Sequence, residues 1–430
     1  MKIALDARTI FSPKPRGTGR NLLDAYRRIP ALRPDWEIVL YHQRHVHDCA
    51  VPDWLPSTRD PDASRRKFSN LHTRRIDIPG DRFNLWLNLR LPRAARRDGV
   101  DLLHMPANAA PVRCPLPYVV TIHDLIPLVV DGECAPAERQ AFRRRIRGAL
   151  RNAAHIITVS QSTRDDLQRE FDVSPERMTV IPWAPDGLMT ANDPFVTERP
   201  ARSRGDDSPH AAAIRAVRER YTLGESWLLN FSGESRRKNA AGLVDALALV
   251  SAALRARFQL VLVGCEPARV REHLTARAAQ LGVLPQCRFL GFVAHEELRG
   301  LLRGAAGLVM PSLYEGFGLP ILDAFACETP VLTSRVSSMP EVAGDAAIYC
   351  DPHERASIAT GIEKLLDPAV AADLVARGVR RLSGFTWERT AAAMCRVFER
   401  AVKGAAAQGS GRAPTTRDLA KPEPVAGGVR

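Results

Sequence analysis

The sequence predicts an α/β protein made of two doubly wound domains, each resembling a Rossmann fold, that face each other across a cleft. Three observations support this fold class. The 430 residues exceed what one ordinary core holds. Short apolar segments alternate with helical ones in two separate blocks, which is typical of parallel sheets covered by helices. Between the blocks lies a stretch without periodicity that is rich in Pro, Arg, Asp and Ser.

These patterns divide the chain into five parts. We predict a first domain over residues 1–185, a linker over 186–211 and a second domain over 212–384. A helix over 385–403 and a disordered tail over 404–430 follow, because the tail is rich in Gly, Ala, Pro and charge.

The first block contains six strand-like segments, at residues 3–5, 38–41, 102–104, 118–122, 155–159 and 178–181. A Pro-rich loop follows the first of them and leads to Gly17 and Gly19, ahead of a helix through Tyr26. This loop stands at the carboxyl edge of the sheet, where open α/β folds bind ligands.

Another carboxyl edge carries His123 and Asp124, directly after the strand at 118–122. An imidazole at this edge can take part in catalysis. A structural histidine held by hydrogen bonds fits the same pattern. The residues alone leave both interpretations open. After the next strand, Ser162 is predicted to cap a helix.

The second block contains six further strand-like segments, at 228–232, 259–263, 288–291, 308–310, 330–333 and 347–350. Its first strand runs into Gly233 and then three cations, Arg236, Arg237 and Lys238. Arginine and lysine at a strand's carboxyl edge suit a phosphate group, with charge-assisted bonds of about 1.5–3 kcal/mol each. A solvated turn is the alternative. Neither a P-loop nor a GxGxxG motif is present, which disfavours kinases and dinucleotide-binding enzymes.

A third candidate site lies after the strand at 308–310. Gly316 and Gly318 allow close approach of the backbone or a positive φ, and Pro320 favours a helix start nearby. The free N–H groups of that helix start suit an anion such as a diphosphate. Glu315 in the loop and Asp323 in the predicted first turn can face one ligand; alternatively, Asp323 complements the helix dipole and Glu315 is solvated.

The segment EGFGLPILDAFACETPVLTS at 315–334 resembles the signature of the family 4 glycosyltransferases, retaining enzymes with the GT-B fold. Other segments resemble the family in the family's order, and the resemblance covers roughly residues 1 to 400. These segments are GTG at 17–19, TIHDLIPL at 121–128, VSQSTRDDL at 159–167, GESRRKN at 233–239, FLGFV at 289–293 and SSMPEVAGDAA at 337–347.

The resemblance implies roles for the candidate residues. It places His123, paired with Asp124, close to the transferred sugar. It also implies that Arg237 and Lys238 bind the donor diphosphate. It also implies that Glu315 orients the sugar. Further substrate contacts are expected from Asp323 to the ribose, from the loop around Gly17 and Gly19, and from Gly233, Gly316, Phe317, Gly318 and Leu319.

The nucleobase is expected near Phe292 and Val293. Neither a metal nor another cofactor is required, because fixed cations neutralise the phosphates. In the family, the last helix crosses back onto the first domain.

Two residues depart from the family pattern. Asp323 stands where the family has a glutamate, which is one methylene longer, so the ribose contact is weakened or bridged by water. Glu328 stands where a glycine is usual. If its backbone stays left-handed, the non-glycine residue costs about 1–2 kcal/mol.

The charge of +13 calls for an anionic partner or surface. One cluster comprises Arg65, Arg66, Lys67, Arg74 and Arg75, with Arg90, Arg93, Arg96 and Arg97 following an apolar segment at 83–87. Another lies on a predicted helix with Arg139, Arg143, Arg144, Arg145, Arg147 and Arg151. Solvated helix faces and a surface that contacts anionic lipid both explain these clusters. Nucleic acid is disfavoured, because no reader motif accompanies the charge.

The eight cysteines are scattered and never form C-x-x-C, so we expect free thiols. His42, His45, His47 and Asp48 have no spacing typical of zinc sites. No apolar run reaches the roughly 20 residues of a membrane span, and the N-terminus does not resemble a secretory signal. We therefore expect a cytoplasmic protein, with peripheral contact at the inner face of the membrane.

The hypothesis from the sequence is a retaining hexosyltransferase of bacterial surface polysaccharide biosynthesis. It moves a sugar from a nucleotide diphosphate sugar to a glycan or lipid-linked glycan, and mannose from GDP-mannose is the preferred donor because the motifs resemble enzymes of O-antigen or exopolysaccharide assembly. A UDP-sugar or dTDP-rhamnose fits the same motifs. A nucleotide-sugar epimerase of this fold and a non-catalytic sugar-nucleotide-binding module are the alternatives.

Overall fold

The computed structural model describes residues 1–11, 17–43, 68–76, 83–186 and 209–407. Two parallel sheets, of seven and six strands, form the centres of its two halves. Helices cover both sheets, as the alternating sequence pattern predicts.

The first sheet has the strand order β3-β2-β1-β4-β5-β6-β7. Ile3 lies opposite both Ile38 and Leu102, so β1 is central and the strand order reverses between β1 and β4. The carboxyl ends of those two strands border the crevice where doubly wound sheets bind ligands. The strands are β1 (Lys2–Asp6), β2 (Glu37–His42), β3 (Leu71–Arg75), β4 (Leu102–Met105), β5 (Tyr118–Ile122), β6 (His155–Thr158) and β7 (Met178–Val180).

Strand β3 is the one strand of this sheet that the sequence pattern did not predict. Its sequence is LHTRR, and Leu71 is its only fully buried residue. It pairs with β2 at the edge of the sheet. An edge strand with polar side chains lacks the apolar run that identifies a buried strand.

The helices of the first half correct two details. Gly17 and Gly19 form the first turn of α1 rather than a loop. The cap of α7 is Ser160, whose side chain accepts the N–H of Thr163, and not Ser162. The helices are α1 (Gly17–Tyr26), α2 (Ile29–Leu32), α3 (Phe83–Leu85), a π-helical turn (Trp86–Arg90), α4 (Leu91–Arg97), α5 (Ile126–Val129), α6 (Pro136–Arg151) and α7 (Gln161–Phe171), with a 3₁₀ turn at Pro175–Arg177.

The second sheet has the order β10-β9-β8-β11-β12-β13, with its reversal between β8 and β11. All six strands fall close to where the sequence predicted them, because each is a short and largely apolar run in a parallel sheet. They are β8 (Trp227–Phe231), β9 (Gln259–Val263), β10 (Cys287–Leu290), β11 (Gly307–Met310), β12 (Val331–Ser334) and β13 (Ala347–Cys350).

Two helix bounds in the second half differ from the prediction. Helix α8 starts at Pro209, inside the segment predicted as linker, whose residues 187–208 lie outside the described part. The last helix, α17, continues to Ala407, past residue 403. The helices are α8 (Pro209–Arg220), α9 (Ala240–Leu249), α10 (Ala252–Arg255), α11 (Ala268–Gln280), α12 (His295–Gly304), α13 (Leu319–Ala326), α14 (Met339–Ala343), α15 (Arg355–Leu365), α16 (Pro368–Leu382) and α17 (Trp387–Ala407), with 3₁₀ turns at Arg236–Lys238 and Leu284–Gln286.

Helix α17 ties the second half back to the first. It packs against α1 and α2. Trp387 Nε1 donates a hydrogen bond to the carbonyl of Pro185 at 2.8 Å, and Thr390 Oγ1 donates to the carbonyl of Pro182 at 2.7 Å. The chain segment that leaves the first sheet is therefore held by the last helix.

Three further features of the described residues concern thiols, metal ligands and membrane spans. Seven cysteines there are free thiols, and Cys49 lies outside the described part. Within the same part, no group of residues is arranged to hold a metal, and no helix is long and apolar enough to cross a membrane. His45, His47, Asp48, Arg65, Arg66 and Lys67 lie outside it.

Candidate active site

Two cations and one carboxylate form the centre of the candidate site, at the reversal point of the second sheet. Glu315 Oε2 lies 2.5 Å from Arg237 Nη1, and Glu315 Oε1 lies 2.8 Å from Lys238 Nζ. Burial raises the pKa of Glu315, but the charges of Lys238 and Arg237 outweigh this and hold its pKa below the usual range. The carboxylate is thus ionised, and its single negative charge is shared by the two cations, so the three side chains keep a net positive charge.

The turn that carries these cations is fixed by its neighbour Asn239. Asn239 adopts the left-handed conformation, with φ of 55°, between the 3₁₀ turn and α9. Its side-chain amide donates to the carbonyls of Pro311 and Pro352 at 3.1 and 2.7 Å. The end of β8 is thereby joined to the end of β11, and this explains why Arg237 and Lys238 reach the loop of Glu315.

Serine hydroxyls hold the loop from Glu315 to Gly318. Ser312 Oγ donates to Glu315 Oε1 at 2.9 Å, and Ser337 Oγ accepts the N–H of Glu315 at 3.0 Å. Ser338 Oγ bonds the carbonyls of Glu315 and Phe317 at 2.8 and 2.9 Å. The loop ends at Gly318, whose φ of 99° favours glycine, and α13 then begins at Leu319.

Gly316 is the point at which the two halves meet. A Cβ on Gly316 would collide with the carbonyl oxygen of His123 and with Asp124. Ser160 Oγ and Thr163 Oγ1 of the first half donate to the carbonyl of Gly316, at 2.6 and 3.3 Å. The structure therefore brings the predicted residues of both halves into direct contact.

His123 is half-buried and oriented by three neighbours. Its Nε2 lies 2.6 Å from the carbonyl of Pro106, its backbone N–H donates to Asn108 at 2.7 Å, and its ring stacks on Trp183 with centroids 5.8 Å apart. Burial lowers the pKa of His123. Because a carbonyl only accepts, the neutral ring carries its proton on Nε2, and Nδ1 is an acceptor.

One carboxylate of the first half, that of Glu133, contacts the turn that carries Arg237 and Lys238. Glu133 accepts hydrogen bonds from Ser235 Oγ and from the backbone N–H of Arg237, the latter at 3.4 Å. Burial raises the pKa of Asp124, whose Oδ1 accepts the N–H of Ile126 at 3.2 Å.

Two further contacts join the halves near the site. Tyr314 donates its hydroxyl hydrogen bond to Asp166 on α7. Glu341 on α14 accepts the N–H groups of Gln161 and Ser162 at 2.8 and 3.1 Å, so it caps the start of α7 from the opposite domain.

Asp323 differs from the sequence prediction. Because α13 begins at Leu319, Asp323 lies in its second turn and not in its first. Its Oδ1 accepts the N–H of Asp186 at 2.9 Å, and burial raises its pKa to about 7. Asp186 in turn lies 3.1 Å from His295 Nε2 and 3.9 Å from Arg20 Nη1.

The remaining predicted residues lie around this centre or beside it. Gly17 faces Leu319 across the two halves, and Phe317 packs edge-on against Phe385 at 6.2 Å. Gly233 has a φ of 147° between β8 and the cationic turn. Val293 is buried, whereas Phe292 is 70% exposed.

Sequence reasoning missed the supporting residues Ser312, Ser337, Ser338, Glu133 and Trp183. The two adjacent serines at 337 and 338 lie within a family-like segment, but their partners are carbonyl and N–H groups of a distant loop. Only the fold brings these together.

Comparisons with known proteins agree with this arrangement. The model for "Glycosyltransferase Family 4" matches residues 36–186, and that for "Glycosyl transferases group 1" matches residues 218–377. O-antigen chain mannosyltransferase B of Escherichia coli is 30% identical over 390 residues, which cover 88% of this chain and 96% of that protein.

Solved structures share the fold. Sucrose-phosphate synthase from Thermosynechococcus elongatus superposes with a TM-score of 0.66 at 20% identity, covering 93% of this chain and 98% of the other. HepE of Anabaena, solved with UDP and glucose, superposes with a TM-score of 0.64 at 18% identity, covering 93% and 99%.

The two Rossmann-like halves, with the two cations and the carboxylate in the second, form the GT-B fold of a sugar-transferring enzyme. The chain belongs to family 4 of the glycosyltransferases, and it is a hexosyltransferase.

Proposed function

We propose that this enzyme transfers mannose from GDP-mannose to a glycan or lipid-linked glycan, with retention at the anomeric carbon, in the biosynthesis of a bacterial surface polysaccharide. The pairing of Arg237 and Lys238 with the buried Glu315 is the observation that supports a diphosphate donor most directly. The similarity to a mannosyltransferase supports the choice of sugar.

In the proposed reaction, the bond from the anomeric carbon to the diphosphate oxygen breaks. The bond from that carbon to the acceptor oxygen forms, and the acceptor proton leaves with the diphosphate. Arg237, Lys238 and the start of α13 stabilise the charge that develops on the leaving group. Such fixed donors contribute most when charge appears in the transition state.

The carboxylate of Glu315 and the imidazole of His123 position the sugar. Neutral His123 offers Nδ1 to a sugar hydroxyl, since Nε2 is engaged with Pro106. When the donor binds, Arg237 and Lys238 exchange Glu315 for the diphosphate, and the Glu315 carboxylate accepts hydrogen bonds from the sugar.

We also propose that Asp323 contacts the ribose through its second oxygen and that Phe292 and Val293 border the nucleobase. No cofactor is needed beyond the nucleotide sugar itself. The arginines of α6 suit an anionic membrane surface, and failure to bind anionic liposomes at low salt would argue against that contact.

The test is donor turnover across a panel of GDP-, UDP-, dTDP- and ADP-sugars, with and without a chelator. The proposal predicts that GDP-mannose is turned over fastest and that the chelator has no effect. Preference for another nucleotide would overturn the donor assignment while leaving the class intact.

Product analysis separates the alternatives. An epimerase converts the donor sugar without an acceptor and releases no nucleoside diphosphate. A binding module binds donor and turns over none of the panel, with or without glycan acceptors.

A further inference from the structure

Three aromatic rings join the segments that connect the two halves to His123. Trp183 lies in the segment after β7, close to the point where the chain leaves the first half. Trp387 is the first residue of α17, where the chain returns to the first half. The Trp183 ring contacts both Trp387 and His123, with ring centroids 5.5 and 5.8 Å apart. One side chain therefore touches both connections and the histidine of the candidate site.

The contact between Trp183 and His123 fixes what a hydrogen bond alone leaves free. His123 Nε2 donates to the carbonyl of Pro106 at 2.6 Å, and the imidazole could still turn about the direction of that bond. The Trp183 ring lies on the face of the imidazole, with 16° between the two planes, and blocks this rotation. The two contacts together set the direction in which Nδ1 of His123 points.

The Trp183 ring is itself held by α17. Trp387 Nε1 donates to the carbonyl of Pro185 at 2.8 Å, and Thr390 Oγ1 donates to the carbonyl of Pro182 at 2.7 Å, so the two bonds flank Trp183 in the chain. Trp183 is 3% exposed, and a closely packed ring of this size cannot change its rotamer alone. Its position therefore follows the position of α17.

The two connections also contact the donor side of the cleft. The first leaves the first half at Asp186, whose N–H is accepted by Asp323 on α13. The second runs from the end of α16 to the start of α17, and its Phe385 packs edge-on against Phe317 of the Glu315 loop, with centroids 6.2 Å apart. Domain closure is absorbed at a few residues between domains, so a rotation of the second half is transmitted to these connections.

We propose that Trp183 is a positioning residue that aligns His123 with the transferred sugar and couples this alignment to the closure of the two halves. The proposal rests on the transferase function and on the role of His123 proposed above. Trp183 acts through His123 and not on the substrate. When the halves open, the connections shift, the Trp183 ring moves with them, and the imidazole is free to turn about its bond to Pro106.

The first experiment replaces Trp183 in the full chain and follows release of nucleoside diphosphate from the donor that the wild type turns over fastest in the panel above. Trp183→Leu removes the ring and is expected to lower kcat about 10- to 100-fold, because His123 loses its alignment. The donor KM should stay within about twofold, since the side chains that bind the diphosphate lie in the second half. Trp183→Phe keeps a ring on the imidazole and should restore kcat to within about threefold of wild type.

A second background shows whether Trp183 acts through His123. In His123→Ala there is no imidazole to align, so adding Trp183→Leu should change kcat by less than about twofold. A residue that only stabilises the first half would cost the same factor in both backgrounds.

Trp387→Phe tests the coupling and does not depend on the folding of Trp183→Leu. It keeps an aromatic ring next to Trp183 and removes the N–H that Pro185 accepts. Loss of one hydrogen bond that holds the Trp183 segment is expected to lower kcat about 3- to 10-fold. In the His123→Ala background the same change should leave kcat unaltered.

The matched control is Trp36, a second buried indole of the first half. Trp36 precedes β2, so it lies at the amino edge of the sheet, whereas His123 follows β5 at the carboxyl edge. The Arg33 guanidinium carbon lies 4.3 Å from the centre of its ring. Trp36→Leu should lower the melting temperature, as Trp183→Leu does, and leave kcat within about twofold of wild type.

Each outcome decides the proposal. It is supported if Trp183→Leu and Trp387→Phe lower kcat only where His123 is present and if Trp183→Phe restores the rate. It is overturned if Trp183→Leu keeps the wild-type kcat, if the loss is equal with and without His123, or if Trp36→Leu causes the same loss. If His123→Ala has the wild-type rate, the role of His123 is overturned as well, and a wild type without turnover overturns the proposed function itself.

Discussion

The carboxylate of Asp323 accepts a hydrogen bond from the backbone N–H of Asp186 at 2.9 Å, across the two halves of the molecule. Asp323 lies on α13, the helix that follows the Glu315 loop, and Asp186 lies where the chain leaves the first half. The helix at the donor site is thus tied directly to the segment that connects the halves.

The burial of Asp323 predicts a pH dependence of stability. Burial raises the pKa of Asp323 to about 7, against an ordinary value of 3.8. Between about pH 4 and 7 the folded state therefore binds the proton more tightly than the unfolded state, and the contribution of Asp323 to stability falls as the pH rises. Above pH 7 the loss levels off at up to about 4 kcal/mol.

Asp323→Asn removes the titration and keeps an oxygen that accepts the N–H of Asp186. We expect its free energy of unfolding, measured by chemical denaturation from pH 4 to 8, to decline less with pH than that of wild type. Asp165→Asn, at an exposed carboxylate on α7, is the control. Parallel curves for Asp323→Asn and wild type would show that the raised pKa is wrong.

Gly316→Ala tests the contact between the halves. The new methyl group would collide with the His123 carbonyl and with Asp124 of the opposite half. Each half can still fold, but the two halves cannot pack as closely as in the wild type. A displacement of about 1 Å in a catalytic site costs about 10² in rate, and we expect a loss of kcat/KM of that order.

The control for Gly316→Ala is Gly148→Ala on α6, where an added Cβ meets no atom within 4 Å. This variant should keep full activity and unfold at the same or a slightly higher temperature. Wild-type activity in Gly316→Ala would mean that the two halves are farther apart during turnover than in this structure.

Glu341 provides a test of closure away from the substrate contacts. Its carboxylate caps α7 from the other half, and capping of a helix start contributes about 0.5–2 kcal/mol. Glu341→Ala should therefore shift the nucleotide-free protein toward open forms, seen as a larger radius of gyration in small-angle scattering.

Asp367→Ala removes a similar cap, because Asp367 accepts the N–H groups of Ala369 and Val370 at 2.9 and 3.1 Å within the second half alone. It should lower stability without changing the radius of gyration. An identical radius in both variants would count against Glu341 as a closing contact.

How far the sequence predicted the structure depends on where each element lies. The twelve predicted strands are present because each is a short and largely apolar run in a parallel sheet, whereas the strand Leu71–Arg75 is mostly polar and gave no such signal. The backbone of Glu328 is left-handed, with φ of 54°, so the condition stated for this departure from the family pattern is met.

The site was predicted only in part, for a physical reason. Arg237 and Lys238 follow β8, and Glu315 follows β11, which is the neighbouring strand of the same sheet. Their pairing can therefore be predicted once the strand order is assumed. The contacts of Asp323 with Asp186 and of Gly316 with His123 depend on how two separately folded sheets are placed. No local pattern encodes that placement.

The most direct test of the central claim is the release of nucleoside diphosphate from GDP-mannose by wild type, Lys238→Ala and Arg236→Ala. Lys238 Nζ lies 2.8 Å from Glu315, whereas Arg236 is an exposed cation in the same turn. The account predicts a loss of about 10²–10³ in rate for Lys238→Ala and almost none for Arg236→Ala. Turnover near the wild-type rate in Lys238→Ala would contradict it.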